Sequence, residues 1–367
     1  MAGYKIVSAD DHMDMSVIPP KLWEERLPAK WRDRAPRVVD TPEGGFWHVD
    51  GESFSYSGKP KTRAVASAIS RAGIDDNGFR PSTPELRLQD MDLDGIYSQV
   101  IYGPPMGFRI GDAALKAECL KVYNSWAAEF SATSPDRLTV LAYLPMHDPA
   151  AATDELRRVA GIGHKGAVVS MFETNTPIYE PDWDPLWAAA QEVGLPLSFH
   201  LGGGCHTVVP VPQSWKIEAF AAVAPMQLDE ALVVMVFCGA LDRHPGMKLV
   251  LGESGLGWIP YVIERMELEA RNHGPSVKDV TLQATPREIF DRQIFATFEE
   301  DRLGVELIPH IGVDNVMWAS DYPHPDSTFP RSREAIEDVF KDVDADTVRK
   351  VTCDNAAKLY HVQHVAA

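Results

Sequence analysis

Short apolar runs recur along this chain, each closed by glycine, proline or an acidic residue and followed by a longer stretch with helix signals. The first run, Ile6-Val7 within residues 5–14, has the look of a short strand. The rhythm then lapses over roughly residues 15–85, where Pro19-Pro20, Trp23, Trp31 and Phe46-Trp47 crowd together. Inside that section Gly44-Gly45, set between Val38-Val39 and Phe46-Trp47-His48-Val49, predicts a small β-hairpin. The rhythm resumes at Thr83-Pro84, a capping residue followed by proline at the first helical position. Strands are predicted at 96–102, 138–144, 165–171, 196–200, 247–252, 294–298 and 315–320. Helices are predicted over 112–134, from Pro149, after Asp182, and over 226–241, 257–273, 331–341, 344–352 and 354–361.

Counted from residue 5, this gives eight strands alternating with helices. Such alternation means parallel βαβ units, and eight of them predict an α/β fold of the (β/α)8 TIM-barrel type. An open doubly wound sheet would carry a glycine-rich phosphate loop after its first strand, and the sequence has none there. No repeat with a period of about 20–50 residues and no low-complexity linker divides the chain. Residues 1–367 are therefore expected to form a single barrel domain, with 15–85 as an insertion or cap after strand 1. So long a section reads either as a lid or pocket wall, or as a buttress for the barrel.

Composition narrows the classes of function. An apolar fraction of 45% and a charged fraction of 24% are those of a soluble globular protein. The formal charge of −18 repels phosphate backbones and anionic lipid surfaces, so neither a nucleic-acid nor a membrane partner is expected. The longest apolar run, Leu232–Leu241, is about half of what a bilayer span needs. Cys119, Cys205, Cys238 and Cys353 form no C-x-x-C pair, which indicates neither a disulfide framework nor a cysteine zinc site. A strand that starts by residue 5 leaves no room for a secretory segment, and a cytoplasmic protein is expected.

In a barrel of this type the reacting groups sit at the C-terminal strand ends. Strand 1 ends in Asp10 and His12, two apart and so on one face of an extended backbone. Strand 5 ends in His200, followed by the loose Gly202-Gly203-Gly204. Strand 6 ends in Glu253, strand 7 in Glu299 and Glu300, and strand 8 in Asp321 within Trp-Ala-Ser-Asp-Tyr-Pro-His-Pro. Each has a structural alternative: His200 as a hydrogen-bonded core residue, Glu253 and Asp321 as caps of a helix or turn. Together, however, they place carboxylates at a barrel mouth where no Lys or Arg ends a strand to balance them. A divalent cation held by Asp10, His12, His200 and Asp321, with Glu253 beside it, supplies that balance.

With those residues in view, the chain resembles the amidohydrolase superfamily, in the branch of the aminocarboxymuconate-semialdehyde decarboxylase-like enzymes. The resemblance rests on Ser-Ala-Asp-Asp-His at 8–12, Phe199-His200, Gly-Glu-Ser-Gly-Leu-Gly-Trp-Ile-Pro at 252–260 and the motif at 318–325. It implies a barrel binding one or two divalent ions (zinc, manganese or iron), with Asp10 and His12 at the strand-1 ligand pair and His200 at the strand-5 ligand. It also implies that Asp321 both binds metal and handles a proton. Two positions depart from the pattern. Glu253 stands where decarboxylases of the branch tend to have histidine, and Ser170 and Met171 stand where binuclear relatives have a bridging lysine.

The leading expectation is metal-assisted hydrolysis of a small cyclic or aromatic carbonyl, ester or amide. The ion would bring the pKa of bound water from about 15.7 towards 7. Asp321 would handle the proton, with Glu253 or His324 orienting substrate or relaying protons. The alternatives are non-oxidative decarboxylation of a small aromatic acid and oxygen activation by a non-haem iron centre. A small-molecule substrate is implied throughout, and a homo-oligomer, a dimer, is expected by analogy with relatives.

Overall fold

The computed structural model describes residues 3–61, 68–74, 80–104, 110–172, 174–201, 208, 211 and 214–366. The Gly202-Gly203-Gly204 loop and Cys205 lie outside the described residues. Strand β1 (Ile6–His12) is buried along its whole length. A hairpin and third strand follow as β2 (Arg37–Thr41), β3 (Gly44–Val49) and β4 (Glu52–Ser57), paired antiparallel in that order. The barrel strands continue as β5 (Ile96–Tyr102), β6 (Leu138–Val140), β7 (Ala142–Tyr143), β8 (Ala167–Val169) and β9 (Leu197–His200). They end with β10 (Leu249–Gly252), β11 (Ile294–Phe298) and β12 (Val316–Trp318).

The ladders are parallel throughout: β1–β5–β6 in one run and β7–β8–β9–β10–β11–β12 in another. The strand expected at 138–144 is interrupted at Leu141, which separates β6 from β7. Across that break Leu141 N–H bonds Ile101 O at 2.9 Å and Ala142 N–H bonds Gly166 O at 3.1 Å, so the chain passes from one ladder to the other. The seam between β12 and β1 is joined by Asp321 N–H to Asp10 O (3.1 Å) and His12 N–H to Tyr322 O (2.7 Å). Ser320 N–H to Ser8 Oγ (2.8 Å) adds a third bond. The fold is the expected barrel. Its closing hydrogen bonds fall on the residues that end β1 and follow β12, which draws those strand ends together.

Helix ends follow local chemistry. Thr83 accepts from Leu86 N–H at 3.3 Å to start helix Pro84–Asp94, and Gly95, at φ +76°, ends it in the left-handed conformation. Asp148 accepts from Ala151 N–H at 2.8 Å ahead of helix Pro149–Gly161. One prediction needs correcting. The helix expected over 226–241 begins eleven residues earlier, and a continuous helical stretch of 23 residues, Trp215–Phe237, has mean hydropathy 1.6 and is only 39% buried. By length and apolarity alone this stretch could cross a membrane. Its second half buries Ala231, Leu232, Met235 and Val236, whereas Trp215–Val223 buries nothing. With Lys216, Glu218, Asp229 and Glu230 as its only charged residues, so apolar a stretch shows little 3.6-residue alternation, which is why its start was illegible.

Two tryptophans from the early section are packed into the body of the protein. Trp47 and Trp23 meet edge to face at 5.0 Å, both fully buried. Trp47 Nε1–H donates to Met15 O at 2.7 Å and Trp23 Nε1–H to Cys119 O at 2.9 Å. Trp47→Ala is expected to cost about 3–5 kcal/mol of stability, read as a lower denaturant midpoint at unchanged slope. An unaltered midpoint would mean that β2–β4 is not held by this contact.

Candidate metal centre

Asp10 ends β1 with its two oxygens in different situations. Oδ2 accepts from Thr297 Oγ1–H at 2.6 Å and from Glu253 N–H at 2.7 Å, which fixes the carboxylate. Oδ1 is buried without a hydrogen-bond partner, 3.4 Å from His200 Nε2 and 3.7 Å from His12 Nε2. His200 Nδ1–H donates to Leu201 O at 2.8 Å. That bond orients the ring and leaves Nε2 facing the carboxylates. His12 Nε2 and Asp321 Oδ1 lie 2.8 Å apart, and neither finds a hydrogen bond. Glu253 Oε2 stands 3.4 Å from His200 Nε2 and 3.8 Å from His12 Nε2.

His324 completes the cluster. Its ring stacks on His12 at 3.9 Å with an interplanar angle of 19°. Nδ1 lies 3.0 Å from Asp321 Oδ1, and Nε2 lies 3.4 Å from Asp14 Oδ2. Two overlapping sets of donor atoms, Asp10/His12/His200 and His12/Glu253/Asp321/His324, each fall within 4.8 Å of one another. The structure thus brings together Asp10, His12, His200, Glu253, Asp321 and His324, while Glu299 and Glu300, also singled out from the sequence, stand outside the donor sets.

Backbone geometry supports a special role for two of them. Glu253 and Asp321 have φ of +51° and +59°, a region that non-glycine residues rarely occupy. Neither carboxylate is a helix cap. The N-cap of helix Ile259–His273 receives no side-chain bond, and the loop between Glu253 and that helix is held by Asp301, whose Oδ2 accepts from Leu256 N–H (2.8 Å) and Gly257 N–H (3.0 Å). Gly252 is equally constrained, because a Cβ there would come within 2.8 Å of His200 Cδ2 and 3.2 Å of Asp10 Oδ2. Gly252→Ala is expected to displace both side chains and lower metal content and activity together, with the fold retained by circular dichroism. Full metal occupancy in that variant would refute the close-packing argument.

The electrostatics express one unmet demand for positive charge. Burial, then Asp321, pushes the Glu253 carboxyl up to about 8. Burial works against a charged His200, but Asp10 and Glu253 outweigh it and hold the ring at about 9. Burial, then Asp321, lifts Glu299 to about 10. Burial opposes charge on Asp321, yet His324 and His12 keep it well below the ordinary carboxylate range. His324 in turn is held well above the usual histidine value by Asp321 and Asp14, against its burial. His12, buried beside His324, is pushed down.

One cation does lie close by, which the sequence did not reveal. Arg87, fully buried, donates from Nη2 to His12 O at 2.6 Å and faces the Tyr322 ring at 5.2 Å. Its charge acts on Asp11, whose Oδ1 accepts from Ser320 Oγ–H at 2.6 Å on the seam, away from the open cluster. Three other residues of the site were missed. Asp14 continues the Asp10–His12 alternation and could have been read from it. Thr297 is one more β-branched residue in a strand pattern and gave no signal. Asp11 points to the opposite face of β1.

The cluster opens on a cavity of about 640 Å³. Asp10, Glu253, Asp321 and His324 line it together with the apolar Ile217, Phe220, Met226, Leu256 and Trp258. No described residue of 15–85 lines it. Helix Ala68–Arg71 instead braces the loop after β12, with Ala68 N–H on Pro323 O (3.2 Å) and Arg71 Nη2–H on Ser327 O (2.6 Å).

Known proteins share this architecture. The sequence profile of the amidohydrolase family matches residues 46–362. A γ-resorcylate decarboxylase of Rhizobium sp. is 29% identical over 266 residues, 65% of this chain and 76% of that protein. Among solved structures, an amidohydrolase of Mycobacterium avium subsp. paratuberculosis superposes with TM-score 0.78 at 19% identity, covering 97% of this chain and 99% of that one. A dihydroxybenzoic acid decarboxylase of Polaromonas sp. with bound manganese and the inhibitor 2-nitroresorcinol superposes with TM-score 0.64 at 18% identity, covering 98% of each chain.

Proposed function

This chain belongs to the amidohydrolase family, and from that membership we propose that it is a metal-dependent, non-oxidative decarboxylase of small hydroxyaromatic acids. This reverses the order of the readings drawn from sequence, where hydrolysis led. What favours decarboxylation is the likeness to the γ-resorcylate decarboxylase over 266 residues. A relative 29% identical is closer in sequence than any of the superposed structures above.

The donor set fits a divalent cation on the structure's own terms. Asp10 Oδ1, His12 Nε2, His200 Nε2 and Asp321 Oδ1 are buried and lack hydrogen-bond partners. Orphaned polar atoms of this kind cost about 1–3 kcal/mol each, and more when charged. Two histidines with carboxylates suit manganese, iron or zinc, and manganese is the first to test because the Polaromonas enzyme binds it. Such an ion supplies the positive charge that binds an aromatic carboxylate and its neighbouring phenol oxygen.

The chain's own residues do the rest. Asp10, pinned by Thr297 and the Glu253 amide, and His200, pinned by Leu201 O, present preorganised donor atoms. Glu253 faces the cavity with its carboxyl held up by burial and by Asp321, at about 8, which suits it to donate a proton near neutrality. It gives that proton to the ring carbon bearing the carboxylate. The bond from that carbon to the carboxyl group then breaks, CO₂ leaves, and the electron pair restores the aromatic ring. Asp321 and His324, in contact with each other and with Asp14, carry a solvent proton back. No oxidant is needed and no water is incorporated. The described part of section 15–85 serves to buttress the loop carrying Asp321 and His324.

The direct test is to incubate manganese-loaded protein with 2,6-dihydroxybenzoate and related hydroxybenzoates in ¹⁸O-water. Expected are equal amounts of CO₂ and the parent phenol, with no label in the phenol. A protein that leaves every hydroxybenzoate intact but cleaves esters or amides with uptake of label would establish hydrolysis instead. That second reading draws on Glu253, whose raised carboxyl could also exchange a proton with water.

Metal binding is expected to strengthen with pH. Without an ion, folded His200 binds a proton that the unfolded chain releases, since its value of about 9 exceeds 6.5. That contribution to the stability of the metal-free protein therefore falls as pH rises from about 6.5 through 9. An ion displaces that proton, so its stabilising effect is larger at pH 9 than at pH 7. Denaturation midpoints with and without manganese at the two pH values measure this, and equal increments would contradict it.

A further inference from the structure

Resting on the decarboxylase reading, we infer that the substrate carries an apolar substituent, an alkyl or aryl group, seated against helix Trp215–Val223, and no second carboxylate. The helix is unusual in burying none of its residues, although its sequence is Trp-Lys-Ile-Glu-Ala-Phe-Ala-Ala-Val. Ile217, Phe220, Ala221 and Ala224 all line the cavity above the metal centre. Their spacing of i, i+3, i+4 and i+7 is one continuous stripe. An apolar stripe that packs no core has another occupant, and here it faces the reaction site. Across the cavity stand Leu256, fully buried, and Trp258, whose Nε1–H is tied to Ser254 O at 2.7 Å. The two walls are close, since a Cβ on Gly255 would lie 3.6 Å from Pro225 Cβ.

Volume and charge agree with this. A hydroxybenzoate has about ten heavy atoms, each taking no more than the roughly 30 Å³ of a liquid water. It would fill about half of a cavity of about 640 Å³. What remains is bounded by the apolar stripe and by Glu300, Asp301 and Asp326. The described lining holds no Lys or Arg. An additional carboxylate on the ring would meet like charge, and an alkyl or aryl group would meet hydrocarbon.

The test uses manganese-loaded protein and 2-hydroxybenzoates bearing ring alkyl chains of increasing length. Expected is a rise in kcat/KM of about fourfold per methylene over the first few carbons, and a carboxyl-substituted acid at least about tenfold poorer than its methyl counterpart. Ile217→Asp and Phe220→Ala should flatten the chain-length dependence. In parallel, calorimetry with alkylated 2-nitrophenols, which have no CO₂ to lose, reads the wall without turnover. Tighter binding with chain length but no CO₂ from any acid would keep the apolar subsite and discard the decarboxylase. CO₂ release with no dependence on chain length, or preference for the second carboxylate, would discard the subsite and keep the decarboxylase.

Discussion

Turnover of a hydroxybenzoate by Glu253→Gln protein is expected to fall about 10²- to 10⁴-fold while bound manganese stays at the wild-type ratio. The variant keeps the size and hydrogen-bonding reach of the side chain and removes only its proton. The backbone at φ +51° and the Glu253 amide that holds Asp10 are unaffected, because the amide belongs to the main chain. The wild-type pH profile should show a matching limb. Burial and Asp321 hold the carboxyl up at about 8 without an ion, and a bound cation draws it lower. Activity is therefore lost as pH rises through a value at or below about 8, and Glu253→Gln should lack that limb. Loss of metal together with activity would make Glu253 a ligand and leave the proton without a donor.

The reasons why Glu253 was legible and Asp14 and Thr297 were not are physical. Strand ends in a parallel barrel are marked twice in sequence, by an apolar run and by the polar residue that closes it. Glu253 follows Leu249-Val250-Leu251-Gly252, and Asp321 follows Met317-Trp318-Ala319-Ser320, so both stood out. Thr297 lies inside a strand, where threonine satisfies the β pattern whether or not its hydroxyl is used. Arg87 sits in the middle of an ordinary polar helix sequence, and only the packing of that helix behind β1 shows its guanidinium reaching His12 O. Order among the strands, the closure at β12 and β1, and the interruption at Leu141 are properties of pairing, which no single strand encodes. Function was less legible still. Asp10, His12, His200 and Asp321 would serve water activation and carboxylate binding alike, so the donor set does not separate hydrolysis from decarboxylation.

Replacing His200 with Ala is expected to abolish turnover, a loss on the order of 10³-fold or more, and here the metal should leave with the activity. Among the described residues, His200 Nε2 is the only imidazole nitrogen within reach of both Asp10 Oδ1 (3.4 Å) and Glu253 Oε2 (3.4 Å) that is also oriented by a bond from its other nitrogen. Without it, Asp10 Oδ1 and Glu253 Oε2 keep only the more distant His12 Nε2, at 3.7 and 3.8 Å. Losing the nearer imidazole is more costly than the missing ligand alone, since a buried carboxylate without a close partner is penalised by several kcal/mol. The variant is thus expected to recruit protons in place of the ion. Its stability should decline with rising pH in the presence of manganese, as that of the metal-free wild type does. Elemental analysis and denaturation at pH 7 and 9 distinguish the outcomes. A His200→Ala protein that keeps its manganese and its activity would mean that the ion is held elsewhere, and the site formed by β1, β9 and the residues after β12 would lose its assignment.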